Sequence, residues 1–106
     1  MTTAPTTTTM AEIAASFGLA QAELFRQATG SFLREKKRQV LQLKLDILAR
    51  YGAETVADLE SRIAQGIVVE HPAWEDLIVA ENLTARLEEL DAHLAHLQGI
   101  EDDCTA

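Results

Sequence analysis

The side chains best suited to chemistry stand near the C-terminal end of the chain. His93 and His96 are three residues apart, and Glu89 lies one helical turn before His93. Two imidazoles and a carboxylate on neighbouring turns are donors for a divalent metal. Structural zinc takes four ligands, however, and no fourth is evident. Both histidines also stand one place before a leucine of an apolar seam (Leu94, Leu97), which puts them on its solvent flank. No metal and no cofactor is expected. His71 precedes Pro72 and reads as a capping or packing residue. Cys104, the single cysteine, follows Glu101, Asp102 and Asp103. Acidic neighbours raise a thiol's pKa and blunt it as a nucleophile. One thiol makes neither an internal disulfide nor a multi-cysteine zinc site. There is no Gly-rich phosphate loop and no strand-to-helix nucleophile turn. The expectation is a protein that is not an enzyme and has no catalytic residues.

Residues that could bind are more plentiful. Trp74, the only tryptophan, sits in the run His71-Pro72-Ala73-Trp74-Glu75-Asp76. A tryptophan buries a large surface, so a core anchor over a neighbouring helix is one reading. The other is an interface anchor, with Trp74, Glu75, Asp76 and Glu81 as partner-interface candidates. Glu75 and Asp76 also suit the first turn of a helix, where the dipole favours negative charge. The basic candidates, for contact with DNA phosphates, are Arg26, Arg34, Lys36, Lys37 and Arg38. The net charge is −8. Residues 1–50 hold seven basic and four acidic residues, and residues 51–106 hold two basic and thirteen acidic ones. Such asymmetry suits either a protein with one face for a polyanion and one for a basic partner, or two helices that attract each other within the fold.

The elements that position these residues read as helices. Aromatic residues make up 5% of the chain, and 5 glycines and 2 prolines are too few for the turns of a β-sandwich. Residues 1–9 form a Thr-rich stretch, a flexible arm or a short strand. Thr9 and Glu12 have capping-box spacing before a short helix ended by Gly18. A second helix follows over 20–28. Thr29-Gly30-Ser31 interrupts it, or it runs unbroken into a long helix over 32–51, because one glycine costs only about 1 kcal/mol relative to alanine. Leu33, Val40 and Ile47 recur every seven residues, and Leu41, Leu45 and Leu48 widen the stripe. Gly52 stops that helix. Thr55 and Asp58 cap a further one, with Val56, Leu59 and Ile63 as its apolar face and Gly66 as its end. Pro72 opens the last helix, which is expected to run to Gln98 and stop at Gly99. Leu83, Leu87, Leu90, Leu94 and Leu97 alternate by four and three, a coiled-coil seam that needs a partner helix.

Two stretches resemble known families. In residues 12–28, Gly18 and Leu19 are followed by Glu23, Leu24, Phe25, Arg26 and Ala28, running into Phe32-Leu33-Arg34-Glu35. This resembles the ribbon-helix-helix repressors and antitoxins. It is also similar to the classical helix-turn-helix, with Ala14, Gly18 and Leu24 at packing positions. The first resemblance implies an N-terminal strand that pairs across a dimer and reads the major groove. Here that strand is Thr-rich, contains Pro5 and carries no Lys or Arg. For the second, the usual preceding helix is missing and Ala20 replaces the usual Ser or Thr. A degenerate motif kept for dimerisation fits as well as a DNA reader. The stretch from Tyr51-Gly52 through Glu70-His71-Pro72-Ala73-Trp74-Glu75-Asp76 to Glu81-Asn82-Leu83 resembles the C-terminal extension of small prokaryotic proteins, some of them antitoxin-like.

The resulting expectation is an all-α protein: a short N-terminal helix pair, then a long antiparallel helical hairpin with a short bridging helix. Its segments are an arm at 1–9, a helical dimerisation or DNA-docking segment at 10–52, an acidic partner-binding segment at 53–99 and an acidic tail at 100–106. The function expected is an antitoxin-like regulator that dimerises and binds a basic protein such as a toxin, with weak operator binding. The alternative is a helical interaction or assembly protein, a homo-oligomer without a DNA role. A chain this small buries little alone, so a homodimer is expected. No apolar run approaches the roughly 20 residues that span a bilayer, and no signal-peptide pattern opens the chain, so the expected location is the cytoplasm, off the membrane.

Overall fold

The computed structural model describes the backbone of residues 9–105 and the side chains of residues 9–99. The candidate N-terminal strand and the side chain of Cys104 therefore lie outside the described parts. All the regular structure described is helical: α1 (Met10–Ser16), α2 (Gln21–Arg50), α3 (Val56–Ala64) and α4 (Glu70–Thr105).

The capping signals in the sequence do their work. Thr9 Oγ1 accepts from the Glu12 amide at 3.2 Å, and Glu12 Oε1 accepts from the Thr9 amide at 2.9 Å, a reciprocal box that opens α1. Thr55 Oγ1 likewise accepts from the Asp58 amide at 2.9 Å. Asp58 Oδ2 accepts from the Glu54 amide rather than from Thr55, at 3.0 Å. Gly18, Gly52 and Gly66 end α1, α2 and α3 with φ of 71°, 64° and 74°. At each end the following amide reaches back to a carbonyl of the last turn: Leu19 to Ala14, Ala53 to Leu48, Ile67 to Arg62. That is the Schellman arrangement, and its left-handed residue favours glycine.

Two helix boundaries differ from the simplest reading. Helix α2 is continuous through Thr29-Gly30-Ser31, so the second short helix is the first turns of the long one. Gly30 is buried there, and a Cβ on it would meet a Leu97 methyl at 3.5 Å. That is ordinary contact distance, so the packing tolerates glycine here rather than requiring it, and the helix runs on because one glycine costs only about 1 kcal/mol. Helix α4 does not stop at Gly99 but continues to Thr105. Gly99 is not among the glycines with positive φ, so it stays in the helical region and terminates nothing. At the other end, His71 has φ −106° and ψ 130°, the extended backbone that a following proline imposes, so regular helix begins at Pro72.

Helices α2 and α4 form the hairpin. Lys37 meets Asp91 and Arg50 meets Asp76, so pairs step down α2 as they step up α4, which is antiparallel. The buried core lies at the closed end, from Ile47 and Leu48 of α2, Ala53, Leu59 of α3, and Leu77 and Ala80 of α4. Tyr51, Val56, Ile63 and Leu83 pack on it. Helix α3 bridges the two long helices there. Of the leucine seam, Leu90 is buried and Leu83, Leu87, Leu94 and Leu97 are half-buried. The broad stripe of α2 divides: Leu33, Val40, Ile47 and Leu48 are covered, but Leu41 and Leu45 are exposed. The structure is flat, 64 × 43 × 16 Å, with a radius of gyration of 20.6 Å. A compact chain of this length would have about 13 Å.

Candidate functional site

Trp74 decides where a binding site can be. The buried face of early α4 is drawn by Ala73, Leu77 and Ala80, spaced four and three apart. Trp74 lies about 100° round from Ala73 and is 43% exposed, so it is not the core anchor over α3 that its size suggested. Ile78, one turn further on the same outer face, is also exposed. Ile67 and Val69 are exposed in the connector that leads into the helix. Glu70, Glu75 and Glu81 are exposed around them. No Lys or Arg occurs between Ile63 and Ala85. His71 Nδ1 is 4.0 Å from Glu75 Oε1.

Asp76 does not share that surface. Its Oδ2 accepts a short hydrogen bond from the Tyr51 hydroxyl, and Arg50 Nη1 lies 3.3 Å away. The bond to Asp76 pushes the Tyr51 hydroxyl above its ordinary pKa, helped by burial and by the Asp76 charge, and opposed by Arg50. Of the four candidates for a partner interface, Trp74, Glu75 and Glu81 face outward together, while Asp76 ties α4 to the end of α2. Sequence reasoning missed this clamp, since nothing local marks a tyrosine and an aspartate 25 residues apart as partners. It also missed Ile78, which the four-residue step from Trp74 would have revealed.

The basic candidates are spread around α2 rather than gathered on one face. Arg26 is ion-paired with Glu23. Lys36 lies over the Phe32 ring, 5.7 Å from its centre. Lys37 reaches Asp91 at 2.7 Å across the hairpin. Arg38 holds Glu35 through Nη2 at 2.6 Å and Nε at 3.0 Å. That fork, with Gln39 beside it, draws the Glu35 carboxyl down to about 2. Arg34 is exposed beside Gly30, at an open cleft that Gln27, Leu94, Leu97 and Gln98 complete with Arg26. Three of the five cations are thus matched to carboxylates and a fourth to an aromatic ring.

His93 and His96 are exposed, and Glu89, the carboxylate beside them in sequence, is bonded to Arg86 at 2.5 Å. Among the described residues no three His, Cys, Asp or Glu side chains converge as metal ligands. No described helix is long and apolar enough to cross a membrane.

Comparison with known proteins gives one match. The family model described as "Uncharacterized protein MJ0235 family" matches residues 1–101. Searches of curated proteins and of solved structures found no match.

Proposed function

The chain belongs to the MJ0235 family, and from its own geometry we propose that it is a helical interaction protein that docks a basic partner on early α4. The observation that carries this reading is the outward pair Trp74 and Ile78 amid Glu70, Glu75 and Glu81, with no cation nearby in sequence. Exposed aromatic and aliphatic anchors supply contact area, and a rim of one charge selects the partner and speeds encounter. The partner that fits is an amphipathic segment with one apolar face and flanking Lys or Arg. In regulatory form this is an antitoxin-like role, in which the acidic second half covers a basic toxin. The reading carries no catalytic step. It is favoured without operator binding, because Lys36, Lys37 and Arg38 already have partners within the chain.

Trp74, as the only tryptophan, reports directly on this surface. Titration with an amphipathic Leu/Lys helical peptide is expected to shift its emission to the blue and to saturate. A Leu/Glu peptide with the same apolar face is expected to do neither. Ile78→Ser should weaken binding about tenfold, the equivalent of about 1.4 kcal/mol for one interface anchor. Equal responses to the two peptides, or no loss in the Ile78 variant, would overturn the reading.

A further inference from the structure

Helix α2 carries a second exposed apolar face, and its residue order is symmetric. Phe25, Phe32, Lys36, Gln39 and Leu43 fall within about 60° of arc on the helix, about a third of a turn from Lys37, which reaches α4. Phe25 is 56% exposed, Phe32 60% and Leu43 55%. Phe25 and Leu43 stand nine residues either side of Arg34, and Phe32 and Lys36 stand two either side. We infer that two copies of the chain pair through this face of α2, antiparallel, with the two-fold axis at Arg34. Phe25 then packs on Leu43 of the second copy, and Lys36 lies over its Phe32.

Charge and area both select this arrangement. In the antiparallel register the seam's central cation, Lys36, faces Phe32 of the second copy, while Lys37, Arg38 and Lys44 point away from the seam. Arg34 faces its own copy in sequence but points to the opposite side of the helix from the seam. A parallel in-register pair would set Lys36 against Lys36 in the middle of the seam, which costs rather than stabilises. Lys36 already lies over Phe32 within one chain, at 5.7 Å, and the second copy offers the same ammonium a second ring face. A buried aromatic contributes 150–250 Å², so the exposed parts of the two phenylalanines supply about 200 Å² per chain. Counted on both copies, with Leu43, the stems of Lys36 and Gln39 and the flanking positions, the seam approaches the roughly 1,000 Å² of a specific interface. This surface lies on α2 and is independent of the Trp74 patch.

The full chain is expected to sediment at twice its own mass at 50 µM. Phe32→Lys sets like charges opposite each other across the axis, and it should raise the dimer dissociation constant at least tenfold with unchanged helical circular dichroism. Adding Lys36→Glu to that variant should restore the dimer, because opposite charges then face across the same register. In a Cys104→Ser background, spin labels at Ala28→Cys should lie about 18 Å apart along the helix axis, and labels at Asp46→Cys about 36 Å apart. A monomeric wild type, a dimer indifferent to Phe32→Lys, a double variant that stays monomeric, or equal separations at both label sites would each overturn the inference.

Discussion

The clamp between Tyr51 and Asp76 offers the sharpest test of how the hairpin is held. Tyr51→Phe removes the hydroxyl and leaves the ring packed on the buried core. A hydrogen bond to a charged acceptor contributes about 1.5–3 kcal/mol. Here the site is only part-buried, and Arg50 at 3.3 Å still satisfies Asp76 in the variant. Both facts lower the cost, so the expected loss is about 1–1.5 kcal/mol at pH 7, read by urea unfolding at fixed protein concentration. Asp76→Asn keeps an acceptor but loses the charge, and a double-mutant cycle between the two sites should give a coupling of about 1 kcal/mol. The pH dependence has a definite sign. Folding raises the Tyr51 pKa, so the folded state holds that proton more tightly than the unfolded chain. The clamp's contribution is full below the ordinary tyrosine pKa near 10 and is lost as pH rises through the higher folded value. The wild type should therefore lose more stability than Tyr51→Phe between pH 9 and pH 11. A variant within about 0.3 kcal/mol of wild type, or the same alkaline loss in both, would refute the reasoning.

Gly30→Ala should be neutral to stabilising by up to about 1 kcal/mol, because the helix gains propensity. The closest atom its Cβ meets, at 3.2 Å, is the movable tip of Arg34, and Leu97 is at ordinary contact distance; a clear drop in melting temperature would contradict this. Leu59→Ala should cost about 2.5–4 kcal/mol by chemical denaturation, since Leu59 is fully buried in the core at the closed end of the hairpin. An NMR titration should place Glu35 at about 2, with Arg38→Ala returning it toward the ordinary carboxylate range. Because folding depresses that pKa, any stability from the pair is present above the ordinary glutamate value and fades as pH falls toward 2.

What the sequence disclosed was local and periodic. The Thr9–Glu12 box, the Thr55 cap and the glycines at 18, 52 and 66 act within one turn, so their spacing alone identified them. The seam from Leu83 to Leu97 was legible because a repeat of four and three leaves one face to cover. Gly99 misled, since a glycine ends a helix only when its backbone turns left-handed, and residue type does not reveal that. Trp74 was ambiguous because size argues for burial, whereas its phase against Ala73 and Leu77 turns it outward. The Tyr51–Asp76 clamp was invisible because it depends on how the hairpin closes. The division of the α2 stripe was hidden too, as Leu41 and Leu45 share its composition but not its covered face.

The uneven charge of the chain can now be apportioned. Among the described residues two pairs cross from α2 to α4, Lys37 with Asp91 and Arg50 with Asp76. Arg26–Glu23, Arg38–Glu35, Arg62–Asp58 and Arg86–Glu89 close within one helix. Exposed pairs of this kind contribute little stability each, so the hairpin rests on its apolar core while the crossing pairs set its register. That core is small: nine apolar residues are buried among those described, and four of them are alanines. Mutual attraction of the long helices therefore uses only part of the acidic excess. Glu81 and Glu88 of α4 have no ion pair among the described residues, and Glu81 stands beside the exposed Trp74 and Ile78. Between Phe25 and Leu43 the exposed face of α2 is instead aromatic and nearly neutral, with Lys36 as its one charge. A surface with one unmatched sign selects an unlike partner, and a surface that is its own complement selects a copy of itself. The two faces of this hairpin are thus suited to different company, and each can be lost without the other.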